Sequence, residues 1–478
     1  MAATSGAFAQ TATSQPVANT AVTLFGGIDA RMNSLSATNA GTLNRLDNSG
    51  EYSSRLGFKG TEDLGGGWGA AFWLEAGIGN DDGRGQNTTS NNTNMGQNLG
   101  VGTGNFTPAT AVTAGSNIAA GGTGTAQQTQ YATPSTSGLN GLQGISFNRA
   151  ATVSLMNRDL GELRAGRDYA PSFWNIAVYD PFGAVGVGSS ANVALGMLNP
   201  AGASIAPPGT AKPEVRTSNS IGWLSPDWNG FRAQAQYAFS EVPSNCLGLV
   251  AVATGQSTSN TCVARAGDGK YTGFRLSYAQ GPLSLAAATG TTKYATTVTP
   301  EGLASLNAGA WLNQGGNVPF LGDYKVTNFG GSYDLGTAKL WAQYGTQAQG
   351  SYTGVTFTSI APAAGSYGAY TQNAATTPEG KLKNYLLGVT VPMGAWTHKF
   401  SYNKGTRSGD IANDRTQKQF AIGTVYAMSK RTSLYATASQ MKADGVGATA
   451  SQALTSSAAT ATDGVKATGF DLGVSHRF

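Results

Sequence analysis

The chain has 478 residues, 40% of them hydrophobic, 9% aromatic and only 12% charged, with 67 glycines and a net charge of +5. It holds no run of roughly eighteen or more apolar residues, which excludes a membrane-crossing helix. The positive balance comes without any basic run or basic helix, so nucleic acid is not an expected partner. With two cysteines and two histidines far apart in sequence, neither a metal nor another cofactor is expected.

In chain order, Ala7-Phe8-Ala9 before Gln10 fits a small-residue cleavage site, although the basic and apolar regions that normally precede one are missing. Residues 1–9 are therefore read as the remnant of a signal peptide, with an ordinary chain start as the alternative. From residue 20 to 478 the sequence reads as a single β-rich domain of alternating segments. In TAVTLFGGIDARMN (20–33), Val22, Leu24, Ile28 and Ala30 oppose Asp29 and Arg31. Residues 80–144 are low in complexity and rich in Gly, Asn and Thr, as a long loop would be. In FRAQAQYAFSE, Phe231, Ala233, Ala235, Tyr237 and Phe239 face away from Arg232, Gln234 and Gln236. Cys246 and Cys262 follow in a polar stretch between strands, where a loop disulfide formed in an oxidising compartment is expected over two free thiols. KYTGFRLSYAQ sets Phe274, Leu276 and Tyr278 against Arg275 and Ser277, and AWTHKFSYNKG sets Trp396, Phe400 and Tyr402 against Lys399 and Asn403. The chain stops mid-strand on GFDLGVSHRF, with Phe470, Leu472, Val474, His476 and Phe478 on one face.

Seven short connections, at 61–67, 157–162, 225–230, 280–282, 334–337, 392–395 and 429–431, carry the Gly, Pro, Asp and Asn that hairpin turns need. Long loops lie between them. One short end and one long end, with one wet and one apolar face, is the layout of a transmembrane antiparallel β-barrel in an outer membrane. Seven hairpins plus a first and a last strand give about sixteen strands. A sandwich or propeller is the rival, but aromatics near strand ends match a membrane girdle and no fixed-period repeat is present. The last strand then has to pair with 20–33, because a barrel leaves no edge.

On VTLFGGIDA (22–30), SSRLGFKGTEDLGGGWGAAFWLEAG (53–77), ATVSLMNRDLGELRAGRDYAP (151–171), YDPFG (179–183) and the closing GVSHRF, the chain resembles the trimeric Gram-negative porins, specifically their anion-preferring branch. The resemblance covers nearly everything after about residue 20. It implies a sixteen-stranded barrel whose third external loop folds inward as a constriction, a homotrimer in the outer membrane among lipid and lipopolysaccharide, and passive diffusion of small hydrophilic solutes. Anions such as small carboxylates and phosphate would be preferred. The inward loop corresponds to 169–214, and Asp180 is either its acidic group in the pore or the cap of the YDPF turn. Constriction arginines carry over by motif position to Arg55, Arg149 and Arg216. Alternation supports Arg55, which shares a face with Ser53, Gly57 and Lys59, and Arg216, which shares one with Ser218 and Ser220. Arg149 shares parity with Val153 and Leu155 unless a bulge intervenes. Arg31, Arg232, Arg275 and Lys59 would extend the basic wall. An arginine on the lipid face costs ~2–4 kcal/mol at membrane depth, so the lumen is its place.

An enzyme is the other class to weigh. The two histidines, His398 and His476, fall on apolar faces, and no nucleophile elbow, HExxH or phosphate-binding Gly-Lys motif occurs. No catalytic residue is expected. A channel dedicated to one nutrient remains a second reading, with Trp73 and Glu75 on the inner face as its candidates.

Overall fold

The computed structural model describes residues 21–38, 41–80, 145–194, 215–240, 270–293, 323–359, 370–409, 414–444 and 465–478. The expected remnant at 1–9, the Cys246–Cys262 bridge and residues 195–214 of the third loop lie outside the described residues.

Strand β1 (Ala21–Ala37) is flanked on one side by two segments in tandem, β2 (Gly41–Asn48) along its later half and β3 (Arg55–Gly65) along its earlier half. The wall continues through β4 (Trp68–Gly77), β5 (Ala150–Asn157), β6 (Gly161–Tyr169), β7 (Arg216–Leu224), β8 (Phe231–Ala238) and β9 (Tyr271–Gln280). It goes on through β10 (Leu283–Thr292), β11 (Tyr324–Asp334) and β12 (Lys339–Gln349). Next, β13 (Tyr352–Ser359) and β14 (Tyr370–Thr377) form a separate two-stranded sheet. The wall resumes with β15 (Gly380–Met393), β16 (Trp396–Ser408), β17 (Arg415–Ala427), β18 (Thr432–Asp444) and β19 (Val465–Arg477). The main sheet thus has 17 segments, and because β2 and β3 share one stave it is a closed antiparallel barrel of sixteen.

Closure is made by β19 returning to β1, in register from Gly27↔Arg477 to Ala37↔Ala467. The terminal residue takes part: Gly26 and Phe478 exchange both backbone hydrogen bonds, at 3.2 and 3.1 Å. Only glycine fits there, since a Cβ on Gly26 would stand 2.3 Å from the Arg55 carbonyl oxygen. The short turns also meet expectation. Gly65, Gly66 and Gly67 all adopt left-handed φ angles, 78°, 60° and 81°, between β3 and β4.

Two features of the opposite rim differ from a uniform set of long loops. Residues 38–40 alone join β1 to β2, where Gly41 at φ 73° lets the hairpin reverse, and 409–414 join β16 to β17. The stave between β2 and β3 also breaks at 49–54, and the buried Asp29 carboxylate holds the break. It accepts the N–H groups of Gly50, Glu51 and Tyr52 at 2.9, 3.0 and 2.8 Å and the Tyr435 hydroxyl at 2.6 Å. Large apolar side chains such as Leu24, Phe420, Leu434 and Phe470 are exposed on the outer face, while Asn403, Gln419 and Asp471 are buried on the inner one. Replacing Asp29 with Ala leaves three backbone donors without their acceptor. The expected cost is about 3 kcal/mol or more, read as a lower temperature at which the purified barrel loses its compact gel mobility.

Candidate functional site

The strands bring five charged or phenolic groups together on the lumen side, near the long-loop ends of β3 to β7. Arg55 opens β3, Glu75 lies near the end of β4, Arg149 immediately precedes β5, Tyr169 closes β6 and Arg216 opens β7 opposite Tyr169. Glu75 is the hub. Its Oε1 accepts Arg149 Nε at 2.6 Å, Arg55 Nη1 at 3.1 Å and the Tyr169 hydroxyl at 3.1 Å, while Oε2 accepts Trp73 Nε1 at 3.1 Å. Arg216 reaches the same group through Tyr169, donating from Nη2 to its hydroxyl at 3.1 Å with the guanidinium 4.5 Å over the ring. Arg55 is braced by Tyr52, donating from Nε to its hydroxyl at 2.6 Å, and Arg149 donates from Nη1 to Ser53 Oγ at 2.9 Å.

The three motif arginines therefore converge. Arg149 does so because β5 begins only at Ala150: strict alternation does not extend to it, and its own N–H is tied to the Glu75 carbonyl at 3.0 Å. A fourth guanidinium, Arg167, was not among the sequence candidates. Alternation groups it with Leu163 and Ala165, yet it is 8% exposed and donates to the Asn148 carbonyl at 2.6 Å and Ser218 Oγ at 2.8 Å. The register between β6 and β7 shifts between Gly166 and Asp168, which breaks the alternation there. Asn219 at φ 54°, in the same stretch, also interrupts the regular face that Arg216 was assigned to; Arg216 reaches the cluster through its pairing with Tyr169. Nearby, Arg164 is held between Glu162 and Asp168, both at 2.8 Å.

The remaining sequence candidates disperse. Arg31 is buried between Asp471 at 2.7 Å and Asp47 at 2.8 Å, which offsets its charge. Arg232 stands at the opposite rim, 3.0 Å from Asp227, whose carboxyl is held below its usual range by the Gly230 N–H. Lys59 lies 5.3 Å over Trp73 and 5.7 Å over Phe25, toward the short-turn end. Arg275 donates from Nε to Asn175 Oδ1 at 2.7 Å and so tethers the third loop.

That loop begins with a helix, α1 (Pro171–Val178), which Pro171 starts without a side-chain cap. Its Phe173, Trp174 and Ile176 pack with Tyr169, Ala238 and Tyr271. Polar wall groups then hold its backbone: Asn328 Nδ2 donates to the Ser172 carbonyl at 2.9 Å and Gln343 Nε2 to that of Ile176 at 3.0 Å. Further on, Asp471 accepts the Val187 N–H at 2.9 Å, and Gln419 Nε2 donates to the Ser189 carbonyl at 3.0 Å. These partners sit on β11, β12, β19 and β17, so residues 171–190 run across inward-facing side chains from one side of the wall to the other. Asp180 follows the turn-cap reading of the two that its sequence left open. It takes the N–H groups of Phe182, Ala184 and Ser190 and the Ser190 hydroxyl, between 2.7 and 3.1 Å, so it caps the YDPF turn and is not offered to the pore. Burial pushes its carboxyl above the ordinary carboxylate range, and these hydrogen bonds pull it back. His398 and His476 both lie on the outer face, beside Trp396 and Thr432 respectively.

Comparison with known proteins gives a consistent set. A family model described as Gram-negative porin matches residues 1–446. Outer membrane porin protein 32 of Delftia acidovorans is 27% identical over 467 residues, 97% of this chain and 95% of the relative. An outer membrane porin protein of Bordetella pertussis is 26% identical over 407 residues, 84% of this chain and 79% of its own. Among solved structures, an anion-selective porin from Comamonas acidovorans aligns with a TM-score of 0.60 at 25% identity, covering 96% of this chain and all of that one. For the site itself, Glu75→Gln removes the charge that holds Arg55 and Arg149 while keeping the shape. Breaking one partner of a buried ion pair costs about 3 kcal/mol or more, and the unfolding temperature of the variant in detergent is expected to fall accordingly.

Proposed function

The chain belongs to the Gram-negative porin family and is an outer-membrane channel, and on that premise we propose that its third loop and arginine cluster make it prefer anions. The observation that carries this reading is the gathering of Arg55 and Arg149 on Glu75, with Arg216 joined to it through Tyr169 and Arg167 close to Arg216. Residues 171–190, held to inward-facing groups of β11, β12, β17 and β19, support a narrowed passage beside them. Walls of low dielectric focus the field in such a throat, so a few fixed charges raise local anion concentration well beyond what the net +5 suggests. Rings of arginine favour anions, provided that each contact is weak enough for the ion to leave. The planar guanidinium fork suits carboxylates and phosphate, which makes small organic acids and phosphate the preferred passengers. The anion selectivity of the Comamonas acidovorans relative, stated of that porin, agrees with this reading.

Glu75 and Tyr169 position the cluster rather than oppose it. A single carboxylate cannot balance the guanidiniums it orients, and the Tyr169 hydroxyl passes its hold on to Arg216 without adding charge. Selectivity should weaken as salt rises, because the screening length falls from about 10 Å at 0.1 M to about 3 Å at 1 M. Reversal potentials in a planar bilayer under a salt gradient test this. Arg55→Ala and Arg216→Ala should each move the potential toward neutrality, while Lys293→Ala, at the exposed outer rim, should leave it in place. A wild-type channel that prefers cations at 0.1 M salt would overturn the reading.

We also propose, from family membership, that three copies assemble through their barrel walls. In mild detergent the particle mass should be three times the 48.8 kDa of one chain, and a mass of one chain would count against it.

A further inference from the structure

Residues 49–54 leave the wall between β2 and β3. Ser49 takes a left-handed φ of 65°, and the Ser54 N–H donates to Ser49 Oγ at 3.1 Å. The ends of the break are thereby drawn together, and 50–53 stand out from the stave. Ser54 Oγ fixes the base by accepting the Asp29 N–H at 3.0 Å. From there the segment meets inward-facing groups. Tyr52 lies over Gly27, the register partner of both Arg55 and Arg477, and a Cβ on Gly27 would stand 2.8 Å from the ring. Both guanidinium groups stack on that ring, 4.3 and 4.7 Å from its centre. Gly50 lies against Tyr435 of β18, and its carbonyl oxygen meets Gly186 of the third loop, with no room for a side chain on either glycine.

Glu51 reaches farthest. Both of its carboxylate oxygens accept Lys399 Nζ at 2.9 Å, with the side chains only 10% and 5% exposed. Lys399 belongs to β16, and β17, β18, β19 and β1 stand between that strand and the broken stave. At about 4.8 Å per strand this is roughly 24 Å of wall. Two side chains cannot span that distance, so the backbone of 49–54 stands inside the lumen. Lys399 Nζ also lies 5.7 Å from the Phe182 ring of the third loop. The same short segment holds the basic cluster, where the Tyr52 hydroxyl accepts Arg55 Nε at 2.6 Å and Ser53 Oγ accepts Arg149 Nη1 at 2.9 Å.

We propose that 49–54 is a second inward segment of the constriction, set in place by Asp29 and by the Glu51–Lys399 pair, and that Glu51 is a selectivity-determining residue of the channel. The proposal rests on the anion-channel reading above. As a pair, Glu51 and Lys399 contribute no net charge to the passage. Without the carboxylate, an ammonium group remains between low-dielectric walls and draws anions in; without the lysine, a carboxylate remains and repels them. A pair that only braced the wall would change stability and leave the choice of ion alone.

The test compares reversal potentials of the full-length channel in planar bilayers under a salt gradient centred on about 0.1 M. Glu51→Gln should shift the potential toward stronger anion preference, and Lys399→Gln should shift it the opposite way. The double variant, and Glu51→Asp, which keeps the charge, should both stay near the wild type. Tyr52→Ala removes the largest side chain of the segment and should raise single-channel conductance at about 1 M salt, where charge is screened. Should one single variant fail to insert, the other still carries a shift of defined sign, and Tyr52→Ala reports on the segment independently. Single variants that keep the wild-type potential, or that shift it in the same direction, would overturn the proposal. So would a Tyr52→Ala channel of unchanged conductance. All shifts are read against the wild type. A cation-preferring wild type would therefore defeat the anion-channel reading alone, whereas an anion-preferring wild type with unmoved variants would defeat only this inference.

Discussion

Hydrocarbon offers a backbone amide nothing to bond with, and every other feature of this molecule follows from that constraint. An open sheet of sixteen staves would leave two edges unsatisfied in lipid; pairing β1 with β19 removes both. The requirement reaches the last residue, where Phe478 exchanges hydrogen bonds with Gly26, and the absence of a side chain at Gly26 allows the approach. Closure in turn divides the side chains into two populations, one facing lipid and one facing an enclosed lumen.

An enclosed lumen lined with polar groups is also what allows a loop to enter it. Residues 171–190 carry few charges, so their own backbone groups meet the wall: Asn328, Gln343, Gln419 and Asp471 supply the donors and acceptors that water would otherwise supply. The same logic explains Asp29 and Asp180. Each is a buried carboxylate saturated by backbone N–H groups, and each holds a stretch of chain that has left regular structure. Carboxylates thus serve the architecture here, Asp29 and Asp180 by holding backbone N–H groups and Glu75 by holding guanidinium groups.

The arginine cluster depends on Glu75 in two opposed ways. Without a carboxylate, guanidinium groups brought this close would repel one another and splay. With one, they are oriented and still outnumber it. Tyr169 extends the arrangement to Arg216 through a neutral hydroxyl and a ring face. A tyrosine in that position adds reach without cancelling charge, which a second carboxylate would do.

Alternation made the fold legible without coordinates. The wet and apolar faces of FRAQAQYAFSE, of AWTHKFSYNKG and of the final GFDLGVSHRF are those seen, and the seven short connections fall at one rim, because strand period and lipid exposure are both local properties of the sequence. What alternation could not convey is where it stops. Arg167 is turned into the cluster by a shift between β6 and β7, Arg149 lies one residue before β5 begins, and the break at 49–54 exists because Asp29, twenty residues away, is there to hold it. Nor could the sequence alone tell a basic residue that joins the Glu75 cluster from one that is paired elsewhere. Arg31 and Arg216 look alike on their strands, and only the partners brought in by closure separate them, Asp47 and Asp471 for the first and a tyrosine for the second. The sequence by itself determined the strands, their faces and the barrel, since those follow from neighbours along one chain segment; the tertiary structure decided which charges survive, since that depends on residues up to 440 positions apart meeting across a closed wall.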